Sequence, residues 1–257
     1  MYPALDGTDD IATSFARDGY VAIEPLFSAQ QIAVINAEID RFIQDVVPTM
    51  PPEQVYYEDK ADPNSLKQVQ QMFSYDPFFN DLMLNGPARR IAEITLGEAV
   101  VPVNMQYFNK PPGVGKPTPP HQDGYYFHLT PCKAITGWLA LEPVDQENGC
   151  IHYVRGSHLD EEFREHGQTG VLGFSQGIIG FGTERDTAET VAFPGPAGTF
   201  LMHHARTIHW AGANTSKTRS RKALGFIYYA ESAKLDERAK QAYQDQLDQR
   251  LRAAGAV

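Results

Sequence analysis

Between residues 99 and 229, glycine and proline cut the chain into short runs of strand-forming residues. The runs are 99–108, 135–142, 149–154, 189–193, 198–203 and 223–229. Many short strands with this punctuation predict a sandwich, a jelly roll or a barrel. The segment 110–120, KPPGVGKPTPP, reads as a loop that delivers the chain to His121, because proline donates no ladder hydrogen bond and cannot sit in a central strand. Before residue 97 the pattern is helical instead. Residues 9–17 form a short helix ending at Gly19, and 20–23 a strand halted by Pro25. Ser28 is an N-cap, and Ile32, Ile35, Ile39, Phe42, Ile43 and Val46 recur at helical spacing, so 29–46 is the best helix. Residues 48–65 carry four prolines and read as loop; 65–72 and 87–96 read as further helices. Residues 231–252 read as a charged, solvated helix.

Composition narrows the function. With 257 residues and 42% hydrophobic content there is ample material for a core, so disorder is excluded as the main theme. The formal net charge of -10 repels phosphate backbones and excludes nucleic acid as an expected partner. Cys132 and Cys150 form no CxxC pair, which excludes a disulfide scaffold and a thiolate zinc site. Cys150 reads as a small buried residue. No apolar run reaches the roughly 18–20 residues of a membrane span, and residues 1–10 do not read as a targeting peptide. The expectation is a soluble cytoplasmic protein, monomer or homodimer, with a small-molecule substrate and no membrane partner.

Eight histidines are the raw material for chemistry, and the sharpest cluster is Pro120-His121-Gln122-Asp123-Gly124. On a strand, positions i and i+2 face one side, so imidazole 121 and carboxylate 123 would enter one cavity. Neutral nitrogen plus anionic oxygen suits a divalent metal. A third ligand would complete the two-histidine, one-carboxylate facial triad of non-haem Fe(II) oxygenases. His128, His152, His158, His166, His203, His204 and His209 are the candidates. His203 and His204 are adjacent and point to opposite faces of a strand. His209 follows one predicted strand and precedes another, just before Arg219-Ser220-Arg221-Lys222. A guanidinium there can pair bidentately with a carboxylate. HxD alone is a weak signal, because it occurs by chance in many chains.

The blocks FARDGYVAIEPLFSAQQI, PPHQDGYYFH, ITGWLALEPVDQENGCIHYVRGSH, GPAGTFLMHH and HWAGANTSKTRSRKALGFIY follow one another in this order. In that order and spacing the chain resembles the phytanoyl-CoA dioxygenase family of Fe(II)/2-oxoglutarate oxygenases over nearly its whole length. The resemblance implies a mainly β fold with flanking α helices, a double-stranded β-helix of the cupin-like jelly-roll kind. It implies one domain over 1–257, with a helix-rich N-terminal third, a core over about 99–230 and a C-terminal helix over about 231–252. It implies His121, Asp123 and His209 as iron ligands and Arg221 as the anchor of the distal carboxylate of 2-oxoglutarate. Family members usually place that arginine eleven residues after the distal histidine; Arg221 is twelve after His209 and Arg219 is ten. Arg221 fits the RKA-strand context, and a one-residue loop insertion is cheap. Trp138, Gln106 and Lys67 match further cosubstrate positions, while Ala211 stands where relatives often carry serine. His158 falls in a turn signature and reads as structural.

The implied activity consumes Fe(II)-bound 2-oxoglutarate and O2, hydroxylates a C–H bond of a small polar or anionic molecule, and releases succinate and CO2. Asp123 disfavours halogenation, since halogenating relatives lack the carboxylate. Asn104, Tyr126, His128 and Arg155 are candidate substrate contacts, with Lys110 also near the expected mouth. A non-catalytic 2-oxoglutarate or metal sensor and a cupin-like isomerase or hydrolase are the alternatives. Family membership does not fix the substrate.

Overall fold

The computed structural model describes residues 7–171 and 174–253. The N-terminal third runs α1 (Thr8–Asp18), β1 (Tyr20–Ile23), α2 (Ala29–Asp45), β2 (Val55–Tyr57), β3 (Leu66–Val69), α3 (Met72–Tyr75), α4 (Pro77–Asn85) and α5 (Pro87–Leu96). The β-rich part continues with β4 (Val100–Lys110), β5 (Thr118–His121), α6 (Gly124–Phe127), β6 (Leu129–Thr130), β7 (Ala134–Ala140) and β8 (Ile151–Val154). Then come β9 (His166–Val171), β10 (Phe174–Ile178), α7 (Glu184–Glu189), β11 (Thr190–Phe193), β12 (Phe200–His204), β13 (His209–Ala211), β14 (Arg221–Ala230), β15 (Lys234–Leu235) and α8 (Glu237–Ala253). A seven-stranded antiparallel sheet, in the order β1-β12-β7-β14-β4-β3-β2, faces a four-stranded one, β11-β8-β13-β5. The fold is a jelly roll with helices on the outside of its larger sheet. Among the described residues no helix is long and apolar enough to cross a membrane.

The larger sheet is buried on both faces, and the strand period of two sorts its residues between them. Leu224, Phe226 and Tyr228 of β14, Phe200 and Met202 of β12, and Ile135 and Leu139 of β7 pack under the helices. They meet Phe15 of α1, Ile32, Ile35, Ile39 and Phe42 of α2, and Leu82 and Ile91 of α4 and α5. The alternate residues Ala223, Leu201, Trp138 and Ala140 face inward and meet Ile151 and Tyr153 of the smaller sheet. Cys150 is fully buried in that inner cluster, as its apolar context predicts.

Helix α2 matches its sequence signals. The Ser28 hydroxyl accepts the Gln31 N–H while the Gln31 side chain accepts the Ser28 N–H, a closed capping box. Helix α1 stops at Gly19, whose φ of 82° is left-handed. A side chain there would also collide with the His158 ring and the Thr207 hydroxyl. Segment 65–72 corrects the reading as a helix: Leu66–Val69 is a strand paired with β4, Gln68 opposite Phe108 and Val69 opposite Tyr107. An available sheet edge overrides the helical spacing of Leu66, Val69 and Met72. The loop at 110–120 is shorter than expected. Lys110 completes β4, and β5 contains Pro119 and Pro120, tolerated because β5 is an edge strand. The sequence reading missed α4, although Asp76 caps it by accepting the N–H groups of Phe78 and Phe79 and Pro77 opens it. It also missed β9, β10, β13 and the short strands β2, β6 and β15.

Candidate active site

The smaller sheet brings the predicted ligands together. His121 ends β5 and His209 begins β13, and the two are directly opposed across that antiparallel pair. Asp123 is not on the strand as expected. It lies in the turn entering α6, with φ −57° and ψ −38°, and this turn, not the pleat, swings its carboxylate toward the histidines. Asp123 Oδ1 lies 3.3 Å from His121 Nε2 and 3.6 Å from His209 Nε2. Donors bonded to one cation at about 2.1 Å and at right angles stand about 3.0 Å apart, so this spacing fits one ion.

The tautomers follow from the second nitrogens. His121 Nδ1 is 2.8 Å from the Pro119 carbonyl, and His209 Nδ1 is 3.0 Å from that of Thr207. Carbonyls only accept, so both Nδ1 atoms carry the proton and both Nε2 atoms offer lone pairs. Burial pushes the His209 imidazole well below its ordinary pKa, helped by His121 and His203, which keeps it in the neutral ligand form. Burial opposes the charge on Asp123, but the surrounding histidines outweigh it, with His203 Nε2 donating to Oδ2, and hold that carboxyl well below the usual range.

Asp123 Oδ2 is fixed from the larger sheet. Thr136 donates its hydroxyl at 2.5 Å, and His203 Nε2 lies at 3.1 Å. Tyr153 donates to His203 Nδ1 at 2.9 Å. Thr136 and Tyr153 were not singled out as site residues, and His203 only as one of the candidates for the third ligand. The register links them: His203 pairs with Thr136 across β12 and β7, and Tyr153 with His209 across β8 and β13. His203 faces in and His204 faces α1, the opposite-face expectation for adjacent strand residues. Among the described residues His121, Asp123 and His209 form the cluster able to hold a metal.

A cavity of about 290 Å³ opens in front of the triad. Of the expected cosubstrate residues, Arg221, Trp138, Gln106 and Lys67 all line it. Arg221 is 5% exposed, its guanidinium carbon lies 5.5 Å from the centroid of a Trp138 ring, and its Nε has no hydrogen-bond partner. Burial pulls its pKa down to about 10. Arg219 is engaged elsewhere, 2.8 Å from Asp145 and 2.5 Å from Glu147, and does not line the cavity. Gln106 accepts from Gln68 at 2.5 Å. Lys67 sits on β3, 3.2 Å from Glu58. Ala211 lines the wall beside them.

The expected substrate contacts divide. Tyr126 lines the cavity, its ring centroid 6.3 Å from that of His121. Asn104, His128 and Arg155 do not line it. The Asn104 side chain accepts the backbone N–H of Gln71 at 2.8 Å, where Gln71 turns left-handed. Arg155 is exposed, and its side chain bonds that of Tyr20 and does not face the cavity. His128 is itself left-handed, 5.7 Å from the Tyr243 ring. Tyr243, on α8, lines the cavity beside Tyr126 and was not anticipated. His158 contacts the Ala16 carbonyl at 3.2 Å and ties its turn to α1.

The phytanoyl-CoA dioxygenase family model matches residues 15–223. The chain belongs to this family. A phytanoyl-CoA dioxygenase domain-containing protein 1 homolog of Caenorhabditis briggsae is 27% identical over 249 residues, covering 80% of this chain and 86% of the relative. A probable alpha-ketoglutarate-dependent hypophosphite dioxygenase of Stutzerimonas stutzeri is 25% identical, covering 80% and 73%. Among solved structures, the epimerase SnoN in complex with Fe3+, alpha ketoglutarate and nogalamycin RO matches with a TM-score of 0.70 at 26% identity, covering 88% of this chain and 84% of SnoN. EctD from S. alaskensis with bound Fe shares the fold, with a TM-score of 0.73 at 20% identity, covering 91% and 81%. This phytanoyl-CoA dioxygenase family member therefore has structural relatives that include an epimerase, so the fold does not dictate the reaction's outcome.

Proposed function

We propose that this chain is an Fe(II)- and 2-oxoglutarate-dependent dioxygenase that hydroxylates a C–H bond of a small polar or anionic molecule. The balance is one C–H bond, one 2-oxoglutarate and one O2 consumed, and one C–OH bond, one succinate and one CO2 formed. The observation that carries this reading is the triad geometry: two Nε2 lone pairs and one carboxylate oxygen converge, with both Nδ1 protons turned away onto carbonyls. His121, Asp123 and His209 would hold iron, which supplies dioxygen activation when bound. Thr136 and His203 keep Asp123 Oδ2 occupied, so Oδ1 is the oxygen left for the metal.

Arg221 would hold the far carboxylate of 2-oxoglutarate, and its unpartnered Nε beside Trp138 supports that role over Arg219. Tyr126 and Tyr243 narrow the space in front of the triad and would exclude bulk water from the reacting atoms. Asp123 fills the position that a halide would need, which favours hydroxylation over halogenation. A hydrolase or isomerase with extra histidine ligands gains no support, because His203 Nε2 is committed to Asp123 Oδ2.

The test is succinate formation by anaerobically iron-loaded protein, given 2-oxoglutarate and then air, against a library of small acids, amines and phosphonates. Substrate-stimulated succinate is the expected result. Iron and 2-oxoglutarate binding with no succinate from any member would favour a sensor. Failure to bind iron would end the reading.

A further inference from the structure

The inner face of the larger sheet holds an arrangement that the triad does not explain. Lys110 ends β4 and Arg221 begins β14, and their Cα atoms are direct partners across the two strands. Each is 5% exposed, and both line the cavity. Like charges opposite one another on a sheet are destabilising, and burying either without a counter-ion costs more. The acids that could compensate are engaged elsewhere. Glu58 lies 3.2 Å from Lys67 and 3.8 Å from Lys116. Glu142 accepts from the Lys222 N–H at 2.7 Å and from the Ser220 hydroxyl at 3.0 Å. Among the described residues no ion pair reaches Lys110 or Arg221. Lys110 Nζ meets only carbonyl oxygens, that of Gly212 and, at 3.5 Å, that of Ala211. Burial, with Arg221 and Lys67 adding to it, pulls the Lys110 amine down to about 6. A buried guanidinium facing a buried amine, with no acid among the described residues ion-paired to either, marks a place where an anion binds, and the amine takes up its proton as the anion arrives.

We propose that Lys110 is a second cationic anchor for the far carboxylate of the dicarboxylate cosubstrate, acting together with its cross-strand partner Arg221. This rests on the 2-oxoglutarate reading above. The rival role for Lys110 is a strut that holds the chain at Ala211–Gly212 through two carbonyls, and that role needs no anion. The two roles differ in which ligand feels the charge.

The experiment is calorimetric binding to anaerobic Fe(II)-loaded protein with two probes. One is 2-oxoglutarate. The other is 2-oxopentanoate, the same chain with a methyl group in place of the far carboxylate. The variants are Lys110→Met, which keeps the stem and drops the charge, and Lys110→Arg, which keeps the charge. A charge-assisted hydrogen bond predicts that Lys110→Met weakens 2-oxoglutarate by about tenfold or more. Binding of 2-oxopentanoate stays unchanged, and Lys110→Arg recovers most of the loss. Equal weakening of both probes would assign Lys110 to the strut and overturn the proposal. Unchanged or tighter 2-oxoglutarate binding by a folded Lys110→Met would overturn it too. Absence of 2-oxoglutarate binding by the wild type would remove the cosubstrate reading itself, a result read without any variant.

Discussion

The two ends of the cavity are built on opposite principles. At the triad, the polar atoms turned away from the cavity are met: the Nδ1 atoms by carbonyls, Asp123 Oδ2 by Thr136 and His203, and His203 in turn by Tyr153. At the Arg221 end a buried guanidinium faces a buried amine, no acid among the described residues is ion-paired to either, and one guanidinium nitrogen has no partner. The first end is organised before anything binds. The second is incomplete and gains most from an incoming anion. A donor set of fixed tautomers suits a metal, which demands geometry, while a buried guanidinium without a counter-ion suits an anion, which supplies what is missing.

Substitutions should break that contrast in graded fashion. The largest effect is expected for Asp123→Ala, which should abolish iron binding and substrate-dependent succinate formation; turnover at the wild-type rate would show that Asp123 is not a ligand. Next, Arg221→Leu should weaken 2-oxoglutarate by about a hundredfold or more. The same change removes an unpaired buried charge, so it should raise the thermal midpoint of the metal-free protein. A lower midpoint with unaltered 2-oxoglutarate affinity would make Arg221 a structural residue. His203→Phe should cost about tenfold in iron affinity, because Oδ2 loses its nitrogen partner while both histidine ligands remain; titration with a competing chelator reads it directly.

The last effect is in the pH dependence of stability. Lys110 titrates at about 6 when folded, against an ordinary 10.5. Between those values the unfolded chain holds a proton that the folded chain lacks, so this group makes the metal-free protein more stable as pH rises through that window. Lys110→Met should flatten that rise in denaturant titrations. An identical pH profile in wild type and variant would mean that Lys110 keeps its proton when folded.

The sequence carried the parts of the molecule whose signals are local. Ser28 and the apolar spacing of Ile32, Ile35, Ile39 and Phe42 mark α2 without any knowledge of its neighbours. The triad was legible because the ordered blocks made HxD specific. What stayed hidden depends on register. Nothing beside Thr136 or Tyr153 says that they stand opposite His203 and His209. The Lys110–Arg221 pair is equally invisible, because 110 residues of chain lie between partners that share a register position. His203 was half legible: Leu201 and His203 share a face, so fixing either one inward fixes both. The misread segment 65–72 has the same origin, since β3 exists only because β4 offers an edge.

The alternation along β14 has a consequence for how such a protein can change. Arg221 and Ile227 line the cavity and Ala223 packs on the same inner face, while Leu224, Phe226 and Tyr228 serve the helical side. Replacing one side chain alters one task and leaves the other standing. Adding or deleting a single residue early in the strand would instead exchange the tasks of all those after it, turning aromatic rings into the cavity and small residues under the helices. The strand can therefore diversify by point replacement, and the route by changes of length is closed.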